Sequence, residues 1–393
     1  MSIQLSNSSI RLLISNTFLR GARILVQIFL SIYVWKQTQD LAVIAWFNVI
    51  LHVFHMVGAL IGAYFVKSGY RNQVNAIAFI LNIIIYMICI VLWNSIIDYI
   101  YILGGCLWLC YWAYYINYNV NQFDMSHFKN RWNLEWVKKS LKIAQKMFFP
   151  LLFGFIITLY NMQVAFGLGT LLLVFGMYFW NISFAPSKGV LNIWKCISII
   201  SQNKKILFSL AGSFFMTIAF SMTLIDIIIS IILFEQVGTE FQLWIALSMI
   251  SLISIWLVYI FWKFTQYKDY NKWLVIFTVF YFISVFLFLY VESYIVTLIV
   301  SSCLTTVILL YQLMASVMNA NSLKWWSDVD DYKIEFYLLR DGVNVWGWLI
   351  WFTVMWLVWD ISPASMTILF SIMSLFAIIT TWCLLKVNIH ELE

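Results

Sequence analysis

The sequence predicts an all-α, polytopic membrane protein with twelve transmembrane helices. Of its 393 residues, 63% are hydrophobic and only 10% are charged, and the mean hydropathy is +0.90. A soluble domain would carry about a quarter charged residues. Apolar runs of about 20 residues, the length that spans the hydrocarbon core of a bilayer, recur along the whole chain, so no stretch is left for a soluble domain.

The helices follow from these apolar runs in chain order. The runs are twice as long as a barrel strand and do not alternate polar with apolar residues, which excludes a β-barrel. The first run has no basic residue before it and no small-residue cleavage pattern after it, so we expect a retained helix rather than a signal peptide. We expect helices at 10–35, 41–66, 74–93, 98–118, 142–162, 166–185, 206–234, 241–263, 272–292, 294–316, 342–360 and 364–386.

The basic residues predict the orientation. All Lys and Arg except Arg20, Arg23 and Lys36 fall on one side of the predicted helices, which places both termini in the cytoplasm and the chain in the cytoplasmic membrane. The net charge of +6 then reflects topology and not nucleic-acid binding. The six cysteines show no spacing typical of zinc sites or disulfides, so we expect no metal and no cofactor.

An internal repeat is indicated at an offset of 199 residues. This shift pairs Ser31 with Ser230 and Gln37 with Gln236, and it continues without a gap to the inner end of the second helix of each half. An offset six helices long is typical of transporters built from two related halves. We therefore expect a bundle at 1–185, a cytoplasmic linker at 186–205 and a second bundle at 206–393.

This organisation, with the segment "GAYFVKSGYRNQ" between helices 2 and 3, resembles the major facilitator superfamily. The segment keeps the glycines and the positive charge of that family's signature, whereas Val66 occupies the place of its aspartate. The resemblance implies a gate on the inner side, closed by an ion pair whose carboxylate must come from elsewhere, from Glu135 or Glu335. The gating candidates are Gly62, Lys67, Gly69, Arg71, Glu135, Glu335 and Arg340.

The two arginines of helix 1 lie on a polar stripe, because Arg20, Arg23 and Gln27 follow each other at helical spacing. Under the 199-residue shift, Gln27 aligns with Asp226 of helix 7, and the resemblance implies that helices 1 and 7 both face a central cavity. One interpretation is that an arginine binds an anionic group of a substrate, balanced by Asp226. The alternative is a structural ion pair with Asp226, or side chains that extend to the cytoplasmic surface.

Other polar residues extend this set of candidates. His52 and His55, with Asp226, are candidates for coupling transport to protons, and the alternative is a pair of packing histidines. Further candidates for the cavity lining are Tyr111, Tyr115 and Gln312, although the tyrosines also fit a packed core. Lys146, near the start of predicted helix 5, is expected among lipid headgroups.

The function that these features favour is secondary transport of a small organic solute, anionic or amphipathic, by alternating access. The expected partners are membrane lipids, the solute and protons as a coupling ion. We expect a monomer. We expect neither an enzyme nor a nucleic-acid-binding protein. Two alternatives stay open: a flippase of lipids or lipid-linked saccharides, and a transporter-like sensor that moves no solute. Vesicle counterflow distinguishes a transporter from a sensor.

Overall fold

The structure, a computed structural model, describes residues 6–38, 40–125, 128–180, 189–220, 222–264, 270–289, 293–322, 329–358 and 363–387. These residues contain helices and no strand, which confirms the predicted all-α class. The α-helices are α1 (Asn7–Ile24), α2 (Ser31–Thr38), α3 (Leu41–Lys67), α4 (Arg71–Val91), α5 (Ile96–Met125), α6 (Phe128–Leu159), α7 (Met162–Phe179), α8 (Ile193–Gln202), α9 (Lys204–Ala219), α10 (Met222–Val237), α11 (Glu240–Phe264), α12 (Tyr270–Leu289), α13 (Tyr294–Ser322), α14 (Val329–Val358) and α15 (Pro363–Leu385).

These helices account for the twelve predicted ones. Within the described residues, ten helical runs are long and apolar enough to cross a membrane. The predicted helix 206–234 is divided into the two shorter helices α9 and α10. The predicted helix 342–360 belongs to α14, whose first half is charged. A further helix, α8, lies in the predicted linker, where the sequence indicated none.

Two predicted helices depart from a continuous α-helix near their middle. Residues Leu25–Leu30 form a π-helix that joins α1 to α2, and α9 ends at Ala219 before α10 begins at Met222. A π segment inside an α-helix is rare and is often found at functional sites. Helix 1 and its repeat partner, helix 7, therefore both carry an irregular segment.

Polar residues define where several of the helices begin. Asp40 accepts the Ala42 N–H at 2.7 Å and caps α3, and Asn161 accepts the Val164 N–H at 2.9 Å and caps α7. Such caps satisfy backbone donors that have no partner within the helix. The turn between α3 and α4 needs Gly69, whose φ of 94° is rarely adopted by other residues.

One compact unit comprises Met1–Leu134, Ile156–Ile199 and Asp328–Phe352. In it α3 packs along α5, α1 packs against α7, and α4 contacts both α5 and α7. The α3–α5 contact is close, because a Cβ added to Gly62 would lie 2.5 Å from the carbonyl oxygen of Ala113. A glycine is required at such an approach of two backbones.

The other unit comprises Glu135–Phe155, Ile200–Ser327 and Thr353–Glu393. In it α9 packs against α15, and α13 contacts α9, α10, α11 and α12. The units group residues by packing, so the predicted chain halves, 1–185 and 206–393, stay a prediction.

Each unit contains a hydrogen bond from a tyrosine hydroxyl to an alanine carbonyl of another helix. In the first unit the Tyr86 hydroxyl donates to the Ala22 carbonyl at 2.6 Å; in the second the Tyr281 hydroxyl donates to the Ala219 carbonyl at 2.7 Å. Each bond joins the third helix of a predicted half to the first. Each also lies where that first helix becomes irregular, so a carbonyl near the irregular segment receives a donor from a neighbouring helix.

Candidate functional site

A polar group in the first unit is built around Arg23, in the last turn of α1. Its guanidinium donates to Oε1 of Gln27 at 2.9 and 3.3 Å. It also lies over two rings of α5, at 4.7 Å from the centroid of Trp108 and 4.3 Å from that of Tyr111. A desolvated cation–π contact is worth about 2 kcal/mol, so these rings and Gln27 hold the cation in place.

Two more arginines share this surface of α5. Arg20, one turn before Arg23, interacts electrostatically with Tyr111. Tyr115 interacts electrostatically with both Arg23 and Arg340, and its ring stacks on Tyr111 with 5.6 Å between centroids. We call Arg20, Arg23, Trp108, Tyr111, Tyr115 and Arg340 the arginine–aromatic cluster.

The positive charge of the cluster exceeds its negative charge. Arg340 donates to Oδ1 of Asp341 at 3.1 Å, and its guanidinium lies 4.7 Å from the ring centroid of Tyr337. Among the ion pairs of the described residues, none includes Arg20 or Arg23. Neither of these two guanidinium groups is therefore neutralised by a carboxylate of the described residues.

A small cavity of about 10 Å³, room for about one water molecule, lies beside Arg23 within the first unit. Its polar lining comes from Arg23, Asn82, Tyr86, Trp108 and Tyr111. The indole Nε1 of Trp108 is buried there without a hydrogen-bond partner. This single unpartnered donor beside the cluster matches an acceptor atom no larger than a water molecule.

The two candidate histidines lie on α3 in an aromatic setting. Nδ1 of His52 is 2.7 Å from the Asn48 carbonyl oxygen, and its ring is 4.5 Å from Trp348 of α14. The His55 ring stacks on Trp112 at 3.3 Å, and both of its nitrogens are buried without a hydrogen-bond partner. This arrangement fits the packing interpretation and leaves a proton-coupling role as a prediction.

Asp226 belongs to the second unit and is paired with a lysine. Its Oδ2 is 2.5 Å from Nζ of Lys146, and about a fifth of each side chain is exposed. The cation beside Asp226 is therefore Lys146 of α6, whereas the predicted cation was an arginine of helix 1. Lys146, predicted to lie among lipid headgroups, lies within the apolar run Ser140–Leu159 of α6 and makes this ion pair; its depth in the bilayer stays a prediction.

Gln312 also contacts an irregular segment. Its Nε2 donates to the Phe220 carbonyl at 3.1 Å, and the Phe220 ring stacks on Tyr311 with 4.0 Å between centroids. Gln312 therefore supports the interruption between α9 and α10.

The gating candidate Lys67, at the end of α3, makes an ion pair with Glu335 of α14. Its Nζ lies 2.9 Å from Oε1 and 3.2 Å from Oε2 of Glu335, and it donates to the Asp331 carbonyl at 2.7 Å. The Glu335 side chain has 0% exposure. Its Oε1 also accepts the Asn192 N–H at 3.3 Å. We call the Lys67–Glu335 contact the α3–α14 ion pair.

Val66 explains why this carboxylate lies on α14. It belongs to a buried apolar cluster formed by Ala59, Ala63, Val66, Val74, Ile116, Val120, Ile334 and Leu338. An aspartate at that position would place a charge among apolar side chains. Of the two predicted carboxylates, Glu335 contacts Lys67, and the side chain of Glu135 lies outside the described part of the chain.

A second charge network begins at Arg71, the first residue of α4. Its Nη2 donates to Oδ2 of Asp124 at 2.6 Å and its Nε to Oδ1 of Asn117 at 3.3 Å, both on α5. Nζ of Lys333 lies 2.5 Å from Oδ1 of the same Asp124. Asp124 thus joins α4, α5 and α14.

Sequence reasoning missed several of these residues. Asp124 and Lys333 lie outside the predicted helix limits, which ended at 118 and began at 342, so their partners could not be inferred. Trp108 lies on the same predicted helix as the candidates Tyr111 and Tyr115 but was not among the candidates. The cations Arg20 and Arg23 of helix 1 were the available signal that an aromatic ring of a neighbouring helix holds a charged side chain.

Comparison with known proteins gives structural matches alone. No family model matches the chain, and no curated protein matches it in sequence. The nucleoside transporter NupG aligns with a TM-score of 0.64 and 12% identity over 97% of this chain and 98% of NupG. A bacterial homologue of the iron transporter ferroportin aligns with a TM-score of 0.67 and 11% identity, over 96% of this chain and 98% of that homologue.

A bacterial homologue of the human drug peptide transporters also aligns, with a TM-score of 0.67 and 10% identity over 97% of both chains. Likenesses at such identities show the fold. The chain therefore shares the helical fold of these transporters, which confirms the predicted fold class.

Proposed function

We propose that this protein is a secondary transporter that moves a small organic anion across the cytoplasmic membrane by alternating access. The fold supports the first part, because the aligned proteins are described as transporters of nucleosides, iron and peptides. The choice of an anion comes from the residues of this chain.

The excess of cations in the arginine–aromatic cluster carries the proposal. Arg20 and Arg23 lie within a membrane-spanning helix with no ion pair among the described residues. Arginine at that depth costs at least ~2.5 kcal/mol, and a bound anion offsets this cost. Guanidinium groups suit carboxylate or phosphate.

The α3–α14 ion pair and the Arg71–Asp124–Lys333 network are the proposed gate. Both join α14 to helices of the first predicted half, so each must change when the transporter changes conformation. A gate of this kind affects cycling rather than affinity. His52, His55 and Asp226 are the proposed residues for coupling to protons.

A binding screen tests the anion. We expect organic anions, and not their neutral analogues, to raise the melting temperature of the purified protein, because a ligand of the folded state stabilises it by RT ln(1 + [L]/Kd). Arg23→Gln should abolish the shift. Arg11→Gln is the matched control, since Arg11 is exposed near the start of the same helix.

Counterflow of the stabilising anion into vesicles then tests transport. Uptake in wild type and none in Arg23→Gln supports the proposal. Binding without counterflow would identify a sensor. A screen in which neutral lipids stabilise the protein and anions do not would contradict the anionic substrate and favour a flippase.

A further inference from the structure

The linker helix α8 has one face fastened to the α3–α14 ion pair. The Asn192 N–H, just before the helix, donates to Glu335, and Asn192 also caps α8 by accepting the Lys195 N–H at 3.0 Å. Leu191 and Ile193 pack against the apolar cluster that contains Val66. Opening of the ion pair therefore has to disturb the start of α8.

The thiol of Cys196 is buried beside the α3–α14 ion pair. It has 0% exposure, and it interacts electrostatically with Glu335 and Lys67. Burial, followed by the Glu335 charge, raises the pKa of the Cys196 thiol to about 12. The closed arrangement thus keeps this thiol both inaccessible and protonated.

The opposite side of α8 is exposed and amphipathic: Trp194 and Ile197 lie beside the exposed polar residues Lys195, Ser198, Ser201 and Gln202. Trp194 is 82% exposed, Ile197 three residues later is 38% exposed, and Val190 just before the helix is 86% exposed. Exposed Trp and Ile on a short helix that also carries lysine are typical of helices at a membrane interface. The chain continues from α8 into Lys204 and Lys205, which adds positive charge.

We propose that α8 lies in the headgroup layer of an anionic membrane leaflet, and that this contact stabilises the α3–α14 ion pair. Lipid is the occupant that the charge favours, because lysines near the surface attract anionic lipids. The position of α8 in the chain fits this proposal, because α8 lies in the predicted linker between the last helix of the first predicted bundle and the first helix of the second. If lipid holds α8 where Asn192 contacts Glu335, the closed ion pair and lipid binding stabilise each other.

The first experiment measures where Trp194 lies. Full-length protein without its native cysteines carries Trp194→Cys, labelled with bimane, in nanodiscs of phosphatidylcholine and phosphatidylglycerol. We expect a nitroxide on the lipid chain near the headgroup to quench this label. The same label at Gln202→Cys, exposed and about 80° around the helix axis from Trp194, should be quenched less. Equal or absent quenching at 194 would overturn the proposal and indicate a face for water or a protein partner.

The second experiment measures the coupling. With Cys196 as the only cysteine, we expect its alkylation by N-ethylmaleimide to be about fivefold slower in phosphatidylglycerol discs than in phosphatidylcholine discs, the effect of one lysine near an anionic surface. Trp194→Asp should remove this difference, and Trp194→Ser replaces it if the aspartate variant fails to fold. Equal rates in both lipids would overturn the coupling. Neither experiment uses transport, so failure here leaves the proposed function to its own test.

Discussion

The substitution Glu335→Gln isolates the charge of the α3–α14 ion pair. Glutamine keeps the size of the side chain and removes its charge. Both carboxylate oxygens of Glu335 contact Lys67 Nζ, and the side chain is fully buried. The substitution therefore leaves a cation at the end of α3 without its counter-charge.

The expected loss follows from the geometry of the pair. Removing one member of a buried ion pair costs roughly 3–5 kcal/mol. We expect the lower end, because Lys67 is 11% exposed and keeps its hydrogen bond to the Asp331 carbonyl. A loss of about 3 kcal/mol raises the open fraction roughly 150-fold.

Alkylation of Cys196 measures this opening, because the thiol is buried beside the pair. Asp98→Asn, at an exposed carboxylate, should leave the rate unchanged. Adding Lys67→Gln to Glu335→Gln should bring the rate back toward wild type, since no lone charge is left. A single variant within twofold of wild type, or a double variant as reactive as the single one, would refute the reasoning.

Three other outcomes are expected. Gly62→Ala should cost about 1–3 kcal/mol through overpacking against α5, whereas Gly167→Ala, with nothing within 4 Å of the new Cβ, should be neutral or stabilising in the same thermal melts. Burial raises the pKa of the Cys196 thiol from 9.0 to about 12, so the closed form keeps a proton that the open form loses. The melting temperature should therefore fall as the pH rises above about 9. Cys196→Ser should remove this dependence of the melting temperature on pH. Asp226→Asn should cost about 2–3 kcal/mol, less than a fully buried pair, and Lys146→Gln should restore stability in the double variant; additive losses would contradict the pairing.

Hydropathy predicted the number of helices but not their interruptions. The π-helix Leu25–Leu30 is as apolar as its surroundings, and the segment around Phe220 contains neither glycine nor proline. These irregular backbones are stabilised by Tyr86, Tyr281 and Gln312 from other helices, and such long-range contacts leave no local signal. The helix α8 was missed because ten residues are too few for a window of about 20.

The charged residues show the same limit. Because Val66 occupies the place of the acid beside Lys67, the sequence predicted that a distant carboxylate pairs with the positive charge. Two residues, Glu135 and Glu335, were the candidates, and Glu335 makes the pair. The partner of Lys146 was not predicted, and its helix was expected to begin at 142, where the apolar run begins, although α6 extends back to Phe128. Polar residues continue a helix beyond the bilayer without changing its hydropathy signal, so depth along such a helix cannot be judged from apolar runs alone.

The duplicated hydrogen bond from tyrosine to alanine gives a landmark for the history of this chain. Tyr86 and Tyr281 are 195 residues apart and Ala22 and Ala219 are 197 residues apart, a few residues short of the 199-residue offset. Duplicated genes lose residue identity quickly, but a hydroxyl that satisfies a buried carbonyl is costly to replace. If the two predicted halves arose by duplication, we expect related chains to keep an equivalent pair of hydroxyl donors after other matching residues have diverged.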